Sequence, residues 1–182
     1  IDAAVQLIKE FAQDQPTFAI LKHTNPCGVC TRDTILEAYQ GALACDPLSA
    51  FGGVFIANTE IDLKTAQEIN QLFYEVVIAP SYSTDAQQLL TSNAKRIVLR
   101  LKHLQGKQHS FKTILEGVLL QDNDLAMENV SESKIVTKLS PDERQMNDLQ
   151  FALKCVKHLK SNTITLVKNS QLIGMGCGQT SR

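Results

Sequence analysis

The chain has 182 residues, 43% of them hydrophobic and 20% charged, with a formal net charge of −1. That length buries one substantial core or two small ones, and the composition is that of a globular rather than a disordered protein. The near-zero charge argues against a general nucleic-acid partner, whose phosphates need a basic face, and no apolar run approaches the roughly 18 residues of a membrane span.

Apolar residues recur at helical spacing from Ala3 to Phe11, and Phe18-Ala19-Ile20-Leu21-Lys22 then reads as a buried strand. A second helix is expected over Thr34 to Ala44, with Ile35, Ala38, Ala42 and Leu43 on one side. After the Gly52-Gly53 break come a strand from Val54 to Ala57, a helix capped at or just before Asp62 and running through Leu72, and a strand from Val76 to Ala79 stopped by Pro80. Ser83 or Thr84 opens a further helix to Leu90, and Arg96 to Leu101 reads as a fourth strand. Strands apolar on both faces alternate with helices, so the class is α/β, with a mostly parallel or mixed sheet covered by helices. Residues 102 to 133 break the rhythm and predict an irregular or hairpin excursion. Ser140-Pro141-Asp142-Glu143 reads as a helix start with Ser140 as N-cap and Pro141 at the first position, and the helix is expected to reach Leu159. Ile164 to Lys168 and Gln171 to Met175 then form a hairpin about Asn169-Ser170. The sequence shows no repeat.

The first strand ends in Lys22-His23 and breaks at Pro26 and Gly28, which puts a cation and an imidazole at its mouth. Histidine is the side chain that ordinarily titrates near neutral pH, and a lysine beside it stabilises negative charge. Pro26-Cys27-Gly28-Val29-Cys30 matches half of a nucleobase-deaminase zinc site, whose other half is His-x-Glu. None of His23, His103, His109 or His158 has a glutamate two residues later. The same thiols suit a redox pair or, more simply, two small residues packing at a helix start. Five cysteines at irregular spacing (27, 30, 45, 155 and 177) fit a reduced, cytoplasmic protein better than a disulfide framework. Between helix and strand, Asp46-Pro47-Leu48-Ser49-Ala50-Phe51-Gly52-Gly53 offers a hydroxyl, a ring for stacking and close backbone approach. Glu75 heads a strand, where it faces a ligand or solvent. Asn162 either caps the carbonyl of Lys160 or orients a substrate. Gly174-Met175-Gly176-Cys177-Gly178-Gln179 is similar to a glycine-rich phosphate loop but lacks the Rossmann spacing of three glycines, and a flexible strand end is the simpler reading.

Taken in order, Lys22-His23-Thr24-Asn25-Pro26-Cys27-Gly28, Cys45 to Gly53, Glu75 to Pro80, Lys160-Ser161-Asn162-Thr163 and Ile173 to Arg182 closely resemble the transformylase half of the AICAR transformylase/IMP cyclohydrolase family. The resemblance covers nearly the whole chain and is weakest from 102 to 133. It implies a cytidine-deaminase-like layered mixed sheet with helices on both faces, a first subdomain over 1–139 and the beginning of a second over 140–182. The implied reaction is formyl transfer from the co-substrate 10-formyltetrahydrofolate to AICAR in purine biosynthesis, with no catalytic metal. His23 would be the proton shuttle, Lys22 its electrostatic partner and Asn162 the residue that orients the formyl group. Asn25, Ser49, Phe51, Gly52, Glu75 and Arg182 would bind substrate, with Glu75 on the pterin.

The resemblance also implies an IMP cyclohydrolase activity in the parent protein and a homodimer that completes the site. The family's Arg-Tyr-Gly and Phe-Phe-Pro-Phe segments do not occur in these residues, and Cys177 and Thr180 depart from the usual pattern. The chain is therefore expected to be part of a longer protein and inactive alone. A zinc-dependent nucleobase deaminase and a non-catalytic nucleotide or folate-binding module are the alternative readings.

Overall fold

A computed structural model describes residues 1–102 and 108–181. The elements begin with α1 (Asp2–Lys9), β1 (Thr17–Lys22), β2 (Asn25–Thr31), α2 (Ile35–Cys45) and α3 (Pro47–Ala50). They continue with β3 (Gly53–Ala57), α4 (Leu63–Asn70), β4 (Tyr74–Ala79), α5 (Thr84–Thr91) and β5 (Ile97–Arg100). A hairpin of β6 (His109–Ile114) and β7 (Gly117–Asp122) follows, then α6 (Glu143–Val156), β8 (Ile164–Val167) and β9 (Leu172–Gly176). The main sheet has the order β2-β1-β3-β4-β5, with β1 antiparallel to both neighbours and β3, β4 and β5 parallel. Among the described residues no helix is long and apolar enough to cross a membrane.

Alternation along the strands divides the core in two. Phe18, Ile20, Phe55 and Val77 face α2, α4 and α5, while Ala19, Leu21, Ile56 and Ile78 face α1 and α6. Both faces are thus covered, as predicted, and each large side chain buried this way stabilises the fold by about 1.5–3 kcal/mol. Phe18, Tyr39 and Phe55 add edge-to-face and tilted ring contacts at centroid distances of 5.1 to 6.1 Å.

The structure corrects the expected start of the second strand region and the cap of α6. Pro26 and Gly28 do not end the strand region: they lie within β2, and the chain reverses instead at His23-Thr24. A proline is tolerated there because β2 is an edge strand, and the ladder shifts at Cys27, which forms a bulge. Cys27 and Cys30 are accordingly on a strand, not at a helix start. Asp142, not Ser140, caps α6: its carboxylate accepts from the backbone N–H of Gln145, whose side chain accepts from the Asp142 N–H in return.

The backbone repeats itself where the sequence does not. α1-β1-β2 and α6-β8-β9 are two copies of one backbone motif. Each hairpin turns through two non-glycine residues at positive φ, His23 and Thr24 at 50° and 74°, Asn169 and Ser170 at 53° and 52°. Each has a lysine before the turn and a bulge after it, with Leu21 paired to Pro26 and Ile20 to Gly28 in one, Val167 to Leu172 and Leu166 to Gly174 in the other. The similarity lies in backbone angles and register, to which hydrophobic patterning is blind.

Candidate functional site

The Lys22-His23-Thr24-Asn25 turn stands at one wall of a cleft of about 420 Å³, within the size range of small-molecule sites. Lys22, His23, Asn25 and Cys27 line that wall, Cys45, Asp46 and Ser49 the second, and Leu172, Gly174 and Met175 of β9 the third. The geometry follows from local sequence. A two-residue turn that matches strand twist needs positive φ at both positions, which β-branched Thr24 adopts only at a cost of about 1–3 kcal/mol. The turn exposes His23 into the cleft mouth.

The second wall is fixed by glycine. A Cβ on Gly28 would sit 1.9 Å from the backbone oxygen of Ala42, so α2 lies directly on the backbone of β2. α2 ends at Asp46, whose side chain accepts a 3.0 Å hydrogen bond from the N–H of Ser49 and so caps α3. Hydrogen bonds from Ser49, side chain first and then backbone, hold the Asp46 carboxyl below the usual carboxylate range. The cleft therefore presents an anion beside the Ser49 hydroxyl, opposite a lysine and an imidazole.

Phe51, Gly52 and Glu75 do not line this cleft but share its end of the sheet. The ammonium of Lys22 donates to the Phe51 carbonyl oxygen. Gly52, at φ 68°, donates its N–H to Phe73 at 2.8 Å, and a Cβ there would lie 3.1 Å from Lys22 Nζ. The Phe51 and Phe73 rings pair at 5.2 Å and both are exposed, a flat apolar surface beside Lys22. Glu75 is exposed at the start of β4, next to this pair. Phe73 was not singled out in the sequence, where it reads as the last apolar residue of a helix.

Asn162 lines a neighbouring cavity of about 590 Å³ with Ser161, Thr163, Ile164, Gly176, Gln179 and Ser181. The two spaces follow one another along β9, with Gly174 and Met175 lining one and Gly176 the other. The Asn162 amide does not cap Lys160: that carbonyl accepts from the N–H of Gly178 at 2.8 Å, and Asn162 Nδ2 donates to the Gln179 carbonyl at 3.1 Å. Arg182 and His103 lie outside the described residues.

The structure thus brings Lys22, His23, Asn25 and Ser49 together and holds Phe51, Gly52 and Glu75 at the same end of the sheet. It adds Cys45 and Asp46 from the segment that also carries Ser49, and Leu172, Gly174 and Met175 from a hairpin about 150 residues from His23, none of them among the expected site residues. The thiols are poor ligands and nucleophiles here. Burial pushes Cys27 up to about 11 and Cys30 to about 12, and Cys45 is raised for the same reason, so all three are thiols at neutral pH. Among the described residues no three His, Cys, Asp or Glu side chains gather into a group that would hold a metal.

Comparison with known proteins supplies what the geometry alone does not. A sequence model described as the AICARFT/IMPCHase bienzyme matches residues 1–182. The chain is 49% identical over 182 residues to the bifunctional purine biosynthesis protein PurH of Bacteroides thetaiotaomicron, covering all of this chain and 36% of that protein. Against the proteins of the same name from Ruminiclostridium cellulolyticum and Rhizobium meliloti it is 45% identical over 185 and 188 residues, all of this chain and 36% and 34% of theirs. It spans about a third of the length of the curated relatives it matches. A match over every residue, at identities of this size, shows that the chain belongs to the AICARFT/IMPCHase bienzyme family.

Proposed function

We propose that this chain carries part of a formyl-transfer site in a bifunctional purine biosynthesis protein whose other activity is IMP cyclohydrolase. The substrates are 10-formyltetrahydrofolate and AICAR, and the products are tetrahydrofolate and FAICAR. The observation that carries the reading is the strained His23-Thr24 turn, which aims an imidazole into a cleft that Lys22, Asn25 and Ser49 also line. Such strain persists where the surrounding structure over-determines it, most often at functional sites.

The AICAR amine is conjugated with its ring and is a weak nucleophile, so a general base contributes most there. The amine nitrogen attacks the formyl carbon, and a C–N bond forms as the carbonyl becomes an oxyanion. His23 takes the proton from the amine and returns it to the folate nitrogen as the old C–N bond breaks, so the proton count balances. Lys22 stands one residue away, where its charge stabilises the oxyanion. Asn162 orients the formyl group from the neighbouring cavity. Asn25 and Ser49 hold AICAR, the Phe51–Gly52 edge and Glu75 take the planar pterin, and Arg182 binds substrate. The homodimer and the cytoplasmic setting belong to the same reading.

A non-catalytic binding module would share this cleft, and turnover separates the two. His23→Asn in the full-length protein is the cleanest variant, because asparagine accepts the positive φ of that turn while removing the proton shuttle. Formyl transfer should fall by about 100- to 10,000-fold with the melting temperature unchanged. Near-normal turnover would remove His23 from the chemistry.

A further inference from the structure

The third wall of the His23 cleft comes from β9, and its attachment differs from that of the other two. β2 and α2 are locked together, with Gly28 against the Ala42 backbone and Gly41 against the Cys30 side chain. The second hairpin meets β2 through one bridge, Cys30 to Gln171, and one backbone bond, Thr31 N–H to the Ser170 carbonyl at 3.0 Å. The buried Leu172 and a set of polar side chains do the rest of the fastening on this side. Arg32 donates through Nη1 to the carbonyls of Thr31 and Asn169, both at 2.7 Å, and through Nη2 to Gln171 Oε1 at 2.7 Å. Gln171 Nε2 donates onward to the Gly41 carbonyl at 3.0 Å and rests 3.9 Å from Cys45 Sγ. From the far side Asp148 accepts the N–H groups of Asn169 and Ser170 at 2.9 and 2.7 Å.

Gln171 is therefore held at both ends, to Arg32 by its oxygen and to α2 by its nitrogen. The chain continues from it into Leu172, Gly174 and Met175, the residues that form the cleft wall. Neither Arg32 nor Gln171 lines the cleft, so they act on it through what they hold: the β9 wall and, at Gln171, Cys45 of the second wall. We infer that Arg32 and Gln171 are positioning residues, a clasp that sets the spacing between the β9 wall and the His23 turn and so fits the cleft to AICAR. This rests on the formyl-transfer reading above. The clasp needs the planar fork of arginine, since three acceptors around one guanidinium are met in a single plane and a lysine ammonium does not reproduce that arrangement.

The test is steady-state kinetics of the full-length protein with Gln171→Met and Arg32→Lys, together with the melting temperature of each. A displaced wall should raise the KM for AICAR about tenfold in both variants while leaving the KM for 10-formyltetrahydrofolate within about threefold. Gln171→Glu keeps the acceptor for Arg32 but loses the donor to Gly41, so it should fall between wild type and Gln171→Met. It also serves if Arg32→Lys does not fold. A purely structural role predicts something different: fewer active molecules, hence lower maximal velocity at an unchanged KM. An active wild type whose folded variants keep the AICAR KM within about twofold overturns the clasp alone, whereas a wild type without formyl transfer overturns the proposed function and this inference with it.

Discussion

The two hairpin turns have nearly the same backbone and opposite circumstances. At the first, Lys22 and His23 project into a cleft. At the second, Lys168-Asn169-Ser170 is tied down, its N–H groups held by Asp148 and the Asn169 carbonyl by Arg32. Asparagine accepts positive φ at little cost, and a tied turn suits a residue of that kind. Threonine does so only under strain, yet the strained copy is the one that meets the cleft. The motif is thus a neutral scaffold, and what its turn touches decides whether it becomes a reactive mouth or a strut.

That contrast can be broken at several points. The largest effect is expected from the paired lysines: Lys22→Met should lower formyl transfer by the full-length protein about 100- to 1,000-fold, while Lys168→Met, at an exposed position, should stay within about twofold. Comparable losses in both would mean that the copies are not functionally distinct. Next come the glycines that follow each bulge. Gly28→Ala drives a methyl into the backbone of α2 and should lower unfolding free energy by about 3 kcal/mol. In Gly174→Ala the new Cβ meets nothing nearer than a Leu166 methyl at 3.6 Å, so a change within about 0.5 kcal/mol is expected by denaturant titration. Asp148→Ala sharpens the picture from the tied side: the loss of two charge-assisted bonds should cost about 1–2 kcal/mol in the same titration.

The smallest expected effect lies where the helices of the two copies meet. Glu10 of the α1 end contacts Lys157 and His158 at the end of α6, each at 3.0 Å. Burial, more than the opposing pull of Glu10, lowers the pKa of His158. The unfolded chain therefore binds this proton more readily than the folded one, and stability rises with pH across the window between the two values. Acidification through the ordinary histidine range should reduce the melting temperature, and His158→Gln should flatten that slope. A melting temperature that rose on acidification in the wild type would reverse the sign of the effect.

Much of the fold was legible because it rests on local rules. The apolar runs of β1, β3 and β4 and the caps Thr34, Asp62 and Ser83 stand close to where the sequence puts them. β2 was illegible because its Pro26 and Gly28 are strand breakers by composition, and they are admitted by an edge position and a flush helix that only tertiary structure reveals. The α6 cap stands two residues beyond Ser140, at Asp142, whose spacing to Gln145 is itself a capping-box signal. At the site, Lys22, His23, Asn25 and Ser49 are near in sequence and were found together. Gly174 and Met175 were not, because nothing in their own neighbourhood refers to a turn so far away along the chain. The excursion after β5 proved to be the β6–β7 ribbon, with Phe111, Val118 and Leu120 exposed on it.

The contact of Gly28 with Ala42 bears on how a small molecule enters and leaves. With α2 seated on bare backbone, the floor and one side of the cleft cannot slide past each other without breaking the sheet, so they act as one rigid jaw. The β8–β9 ribbon faces that jaw, joined to β2 by the Cys30–Gln171 bridge, the Thr31–Ser170 backbone bond and the Arg32 and Gln171 side chains, with Leu172 buried in the core behind it. A mouth bounded by so inflexible a jaw selects small molecules by shape rather than by adapting to them.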